Sequence, residues 1–161
     1  MAIPDFLPGI SVTVCVDDVP LVEYPDPNQN LNLIFAVDAY KAARTVTRYV
    51  EAVSNSEFTI DLAAQPPYVQ DCANLGFRVC VDGALVGIFL CSKNLYKRKG
   101  TWKDRICGDQ RTTVEGDLLR NFRFATINTS QSFLSFPFWN SLLFSEVFPG
   151  LQYGVLLAVT G

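Results

Sequence analysis

Seven basic residues fall within positions 93–111: Lys93, Lys97, Arg98, Lys99, Lys103, Arg105 and Arg111. They stand against Asp104 and Asp109, a local net charge of +5. Tyr96 and Trp102 interleave with them. Lysine and arginine pair with a phosphate backbone and flat rings stack on bases, so this stretch has the chemistry of a nucleic-acid contact. The same cations pair equally with the carboxylates of an acidic protein segment. The chain carries such a segment itself. Residues 1–38 hold Asp5, Asp17, Asp18, Glu23, Asp26 and Asp38 and no basic residue, which brings self-association in as a third reading. The plain alternative is a solvated connection between strands, given Gly100 and the polarity around it.

Catalytic chemistry finds less support. Histidine is absent. That excludes Ser-His-Asp and Cys-His nucleophile arrangements and every zinc site that needs an imidazole. Five cysteines are present, Cys15, Cys72, Cys80, Cys91 and Cys107, with no C-x-x-C spacing, so neither a zinc ribbon nor a thioredoxin-like motif is expected. Cys15, Cys80 and Cys91 sit in apolar runs, where a free thiol behaves as a small hydrophobe. Cys107 has the most polar and basic surroundings, and nearby positive charge favours the thiolate, so an enzyme reading would rest on it or on paired carboxylates. Asp17, Asp18 and Asp26 read as turn residues, since calcium wants six to eight oxygens from a denser acidic loop. Gly76, Gly83 and Gly87 match neither a P-loop nor a dinucleotide fingerprint. No catalytic residue, metal ligand or cofactor is assigned, and the expectation is a protein that is not an enzyme.

The whole chain has 161 residues and a net charge of −3, which gives no global attraction to nucleic acid or anionic membranes. A chain this long suits one domain and can fold without a disulfide or metal. Its start lacks a basic n-region and no run of 18 apolar residues occurs, so neither a signal peptide nor a transmembrane helix is expected. With an odd number of cysteines, the default compartment is reducing: intracellular, cytoplasmic or nuclear. Residues 128–130 fit the N-glycosylation pattern, which carries no weight there.

The elements that must position these side chains are strands. Residues 11–16 read S-V-T-V-C-V, with Val12, Val14 and Val16 on one face. Asp17-Asp18 turns the chain, and residues 19–24 return, with Pro20 near the strand's start. Residues 25–30 are a loop, residues 31–37 an apolar run, and residues 39–43 a helical turn or a loop. Residues 45–53 form a strand with Val46 on one face and Thr47, Tyr49 and Glu51 on the other. In residues 57–62, Phe58, Ile60 and Leu62 point inward. Pro66-Pro67 opens a loop. Residues 77–81 and 84–90 flank Asp82-Gly83, a hairpin signal, because a type I′ turn needs positive φ at both central positions. Residues 121–127 alternate again, with Phe122, Phe124 and Thr126 on one side. Seven or eight short strands without a long helix indicate an all-β, antiparallel sandwich or barrel rather than βαβ units. An antiparallel β-sandwich is the expectation, with a partly open barrel as its alternative.

Three stretches carry a resemblance as a set: L-P-G-I-S-V-T-V-C-V-D-D-V-P-L-V-E-Y over residues 7–24, V-T-R-Y-V-E-A-V-S-N-S-E-F-T-I over residues 46–60, and F-R-V-C-V-D-G-A-L-V over residues 77–86 with the later N-F-R-F at 121–124. Together, over about residues 7–128, they resemble a family of fungal proteins catalogued only as a domain of unknown function. The resemblance implies a single β-rich domain and no assigned activity or catalytic residue. Glu51-Ala52 itself reads as a strand whose acid faces solvent, or as a loop, rather than as a catalytic carboxylate. The C-terminal part departs from the family's expected polar linker. Residues 130–161 hold Phe133, Phe136, Phe138, Trp139, Phe144, Phe148 and Tyr153, with Glu146 their only charge. The expected division is therefore a β-sandwich domain over 1–129 and an apolar tail over 130–161. That tail is either foreign to the domain, through an exon boundary or a frame change, or an apolar extension that packs, binds a partner or lies on a membrane.

The functional expectation is a non-enzymatic protein-interaction module, its partner an acidic segment or a second copy. The alternative is a nucleic-acid-associated domain using the basic stretch.

Overall fold

The computed structural model describes residues 7–26, 45–114, 116–125, 140–145 and 154–160. The apolar run at 31–37, the turn at 39–43, Thr126, the acceptor pattern at 128–130 and most of the tail's aromatic residues lie outside them. Among the described residues there are β1 (Ile10–Val16), β2 (Val19–Pro20), β3 (Glu23–Pro25), β4 (Thr45–Glu51), β5 (Thr59–Ala64), β6 (Asn74–Val81), β7 (Ala84–Ser92), the helix α1 (Lys93–Lys99), β8 (Trp102–Ile106), β9 (Gly108–Thr113), β10 (Gly116–Asn121), β11 (Asn140–Ser145) and β12 (Gly154–Thr160). The fold is all-β, as the sequence indicates, with more strands than the seven or eight expected.

The strands form a four-stranded sheet in the order β2-β1-β5-β8, a six-stranded sheet in the order β3-β4-β12-β11-β6-β7, and the β9–β10 hairpin. Pairing is antiparallel except between β4 and β12, which run parallel from Thr45↔Gly154 to Glu51↔Thr160. Period-two alternation builds the four-stranded sheet. Val12 and Val14 of β1 and Ile60 and Leu62 of β5 are buried, while Thr13, Asp61 and Ala63 take the other face and are half-buried. Asp17 and Asp18 both have positive φ, 50° and 63°, as a tight two-residue turn requires. The return stretch then divides. Val19–Pro20 pairs with β1, and Glu23–Pro25 crosses to pair with β4 in the other sheet. Asp82 (φ 51°) and Gly83 (φ 76°) make the expected turn between β6 and β7.

One core joins the two larger sheets. Val12, Val14, Ile60, Leu62 and Ile106 from the first meet Val50, Leu75, Phe77, Val79 and Cys91 from the second in a single buried cluster. Phe77 of β6 stacks on Trp102 of β8, ring centroids 5.0 Å apart, so this contact bridges the sheets. Phe58 stacks between Phe122 and Phe124, at 5.2 and 4.5 Å. The F-x-F stretch buries both phenylalanines but is not a full strand. Its ladder is one bridge, Arg123 with Glu57, flanked by amide bonds from Phe58 to Phe122 and from Phe124 to Ser56. The last two strands, β11 and β12, lie within the stretch that composition sets apart after residue 129. They stand side by side between β4 and β6.

Candidate functional site

The helix α1 explains how the basic stretch is presented. Ser92 caps its N-terminus, its hydroxyl oxygen accepting from the Leu95 amide at 3.3 Å. Gly100, at φ 71°, closes the other end in the left-handed region, its amide donating to the Tyr96 carbonyl at 2.7 Å. Lys97, Arg98 and Lys99 fill the last turn, where cations suit the negative end of the helix dipole. All three are exposed, and among the described residues none of their side chains has an ion pair or hydrogen bond. Lys93, in the first turn, is half-buried and donates from its ammonium to the Asp71 carbonyl at 3.0 Å.

The two aromatic residues face the other way. Tyr96 is 8 % exposed, donates its hydroxyl to the Tyr68 carbonyl at 2.7 Å and meets the Tyr68 ring edge-on at 5.9 Å. Burial pushes both phenols up, that of Tyr68 to about 12. Trp102 is 7 % exposed and lies against Phe77. Both rings belong to the core, so neither offers a free face to a base.

Lys103 and Arg105 leave β8 on its outer face. Cross-strand register sets two rows there: Ser11, Ala63 and Lys103, then Thr13, Asp61 and Arg105. With Cys15 they line an open groove of about 440 Å3. Arg105 is held by carboxylates. It grips Asp61 with two bonds, Nε to Oδ1 at 2.6 Å and Nη2 to Oδ2 at 2.8 Å, and donates from Nη1 to Asp18. These bonds keep the Asp61 carboxyl below the usual carboxylate range and raise the guanidinium further. The Cys15 thiol donates to Asp61 at 3.7 Å, and burial, with the Asp61 charge second, pushes it up. It is thus held as a thiol rather than an activated nucleophile. Cys107 is exposed between β8 and β9 and, among the described residues, has no side-chain partner. Arg111 lies in β9 opposite Leu118, apart from the β8 pair.

The basic stretch therefore resolves into an exposed cationic ridge on α1, an outer-face pair on β8 of which Arg105 is already matched, and two buried rings. Sequence reasoning missed Ser11, Thr13 and Asp61. The signal was present, since the alternation that turns Val12, Val14, Ile60 and Leu62 inward turns these outward.

An all-β domain with an exposed cationic ridge on α1 is what fold and site define. A family described as Domain of unknown function (DUF7918) matches residues 9–135, and the chain belongs to that family. The resemblance read over residues 7–128 to a domain of unknown function is borne out, and the match runs on to residue 135. No curated protein and no solved structure matches the chain. Among the described residues, no helix is long and apolar enough to cross a membrane.

Proposed function

We propose that this domain is a non-enzymatic protein-interaction module that binds an acidic protein segment through the cations of α1. One observation carries the reading: Lys97, Arg98 and Lys99 stand exposed and unmatched, while Tyr96 and Trp102 are committed to the core. Sequence-tolerant nucleic-acid binding draws about 1–3 kcal/mol per base from stacking, and with both rings buried only phosphate pairing is left to that reading. Carboxylate recognition needs no stacking platform, only cations with room to approach. The five cysteines are free thiols, three of them buried, which supports an intracellular, reducing compartment for the module.

The test is fluorescence anisotropy at low salt with two probes of matched charge, a Glu-rich peptide and a single-stranded oligonucleotide. The peptide should bind more tightly, and Lys97→Gln/Arg98→Gln/Lys99→Gln should weaken it about tenfold, the scale of three exposed ion pairs. Tighter binding of the oligonucleotide, or an unchanged peptide affinity in the triple variant, would overturn the proposal.

A further inference from the structure

We infer that the acidic segment is the β1–β2 turn of a second copy, so that the chain associates head to tail. The inference rests on the proposed role of α1 as a carboxylate-binding ridge and adds what fills it. Sheet register places the two charged features at opposite ends of one sheet. Ile10, Ala64 and Trp102 mark one end, and α1 enters β8 there. Cys15, Ile60 and Ile106 mark the other, where Asp17 and Asp18 turn the chain.

The turn is a negative knob. Asp17 and Asp18 are exposed, the Asp18 side chain at 79 %. Arg105 beside them already serves Asp61 as well as Asp18, so one guanidinium is shared between two carboxylates, and Asp17 adds a third negative charge at the turn. The α1 ridge carries three cations with no matching acid among the described residues. The length of β8 between the two ends is roughly 13 Å at 3.3 Å per residue, beyond the screening length of about 8 Å at physiological salt. Within one molecule the two ends therefore barely neutralise each other, and between molecules they can meet directly. A contact between two different patches leaves a dimer with one free ridge and one free turn, so the assembly grows beyond two copies, as a chain or until a ring closes.

The experiment uses the full chain and two variants. The ridge variant is Lys97→Gln/Arg98→Gln/Lys99→Gln; all three sites are exposed and glutamine favours helix. The turn variant is Asp17→Asn/Asp18→Asn, and asparagine is well tolerated at positive φ. Asp17→Asn alone is a milder second version that leaves the Arg105 pair intact. Sedimentation velocity at low ionic strength should show the parent's mass rising with concentration and returning to monomer in 1 M salt, where screening reaches about 3 Å. Each variant alone should stay monomeric. Mixed in equal amounts, they should form a dimer and nothing larger, because only one intact ridge and one intact turn can meet. The inference is overturned if the mixture stays monomeric or if either variant still associates as the parent does. The Glu-rich peptide separates the two ideas. If it binds the parent's ridge while the mixture stays monomeric, self-association fails and the reading of α1 survives; if it does not bind, that reading fails first.

Discussion

Asp61 and Glu57 show how single side chains tie strands together at this surface. Asp61 on β5 takes both bonds of the Arg105 fork from β8. Glu57 accepts from Arg123 and from Asn121, each at 2.9 Å, joining the chain ahead of β5 to the F-x-F stretch. Those hydrogen bonds lower both carboxyls in the folded state, led for Asp61 by Arg105 and for Glu57 by Arg123. A carboxylate lowered on folding stabilises above its unfolded pKa of about 4 and loses that contribution as pH falls through the folded value. The melting temperature should therefore drop on acidification from pH 5 to pH 2, and Asp61→Asn/Glu57→Gln should flatten that limb. With no histidine in the chain, the curve should be level from pH 5.5 to pH 7. Thermal melts across the range decide it; a slope above pH 5.5, or an acid limb unchanged in the double variant, would count against this account. At this scale the sequence was half legible. The basic residues stood out by type. The burial of Tyr96 and Trp102 did not, because two aromatic residues interleaved in a charged stretch look alike whether they pack or stack.

At the scale of elements, alternation was the readable signal. It located β1, β5 and the Asp82-Gly83 hairpin, where a buried face must repeat every second residue. α1 was hidden in what looked like a loop. Seven residues are too few for a helical period to show, and its markers are only the Ser92 cap and Gly100. The strand after Asp17-Asp18 was read as one piece, though its two halves pair in different sheets, a choice made by distant partners. The F-x-F stretch was right in its facing and wrong in its extent. Its ladder is a single bridge, so the two rings rather than backbone pairing fix it. Phe124 is 2 % exposed against Phe58, and Phe124→Ala should cost about 3–5 kcal/mol. Leu118→Ala, at a side chain 51 % exposed on β10, should change stability by under about 0.5 kcal/mol. Urea denaturation of the two variants compares them directly. Equal losses would mean that the aromatic stack contributes no more than an exposed leucine.

The whole molecule poses the question of where the domain ends. Composition divides the chain after residue 129, and the family match stops at residue 135. The six-stranded sheet nevertheless takes its two middle strands from beyond both points. No local pattern announces a parallel pairing between β4 and a strand more than a hundred residues later, which is why a sequence scan sees only an apolar tail. Removing that tail would leave β3–β4 and β6–β7 as separate two-stranded ribbons, with unpaired amides and carbonyls along β4 and β6. Isolated two-stranded ribbons are marginal in water. Val50 and Val79, fully buried on β4 and β6, would then lose the continuous sheet that holds them over the core. Opened edges of that length are also templates for pairing with other chains. A chain cut after residue 129 should therefore lose its near-ultraviolet circular dichroism and its cooperative melt, and scatter light as aggregate even in 1 M salt. The full chain under the same conditions should run as a folded monomer, since high salt removes the charge-driven association but not edge pairing. A soluble, cooperatively melting 1–129 monomer would mean that the core closes without β11 and β12 and that the compositional boundary is the physical one.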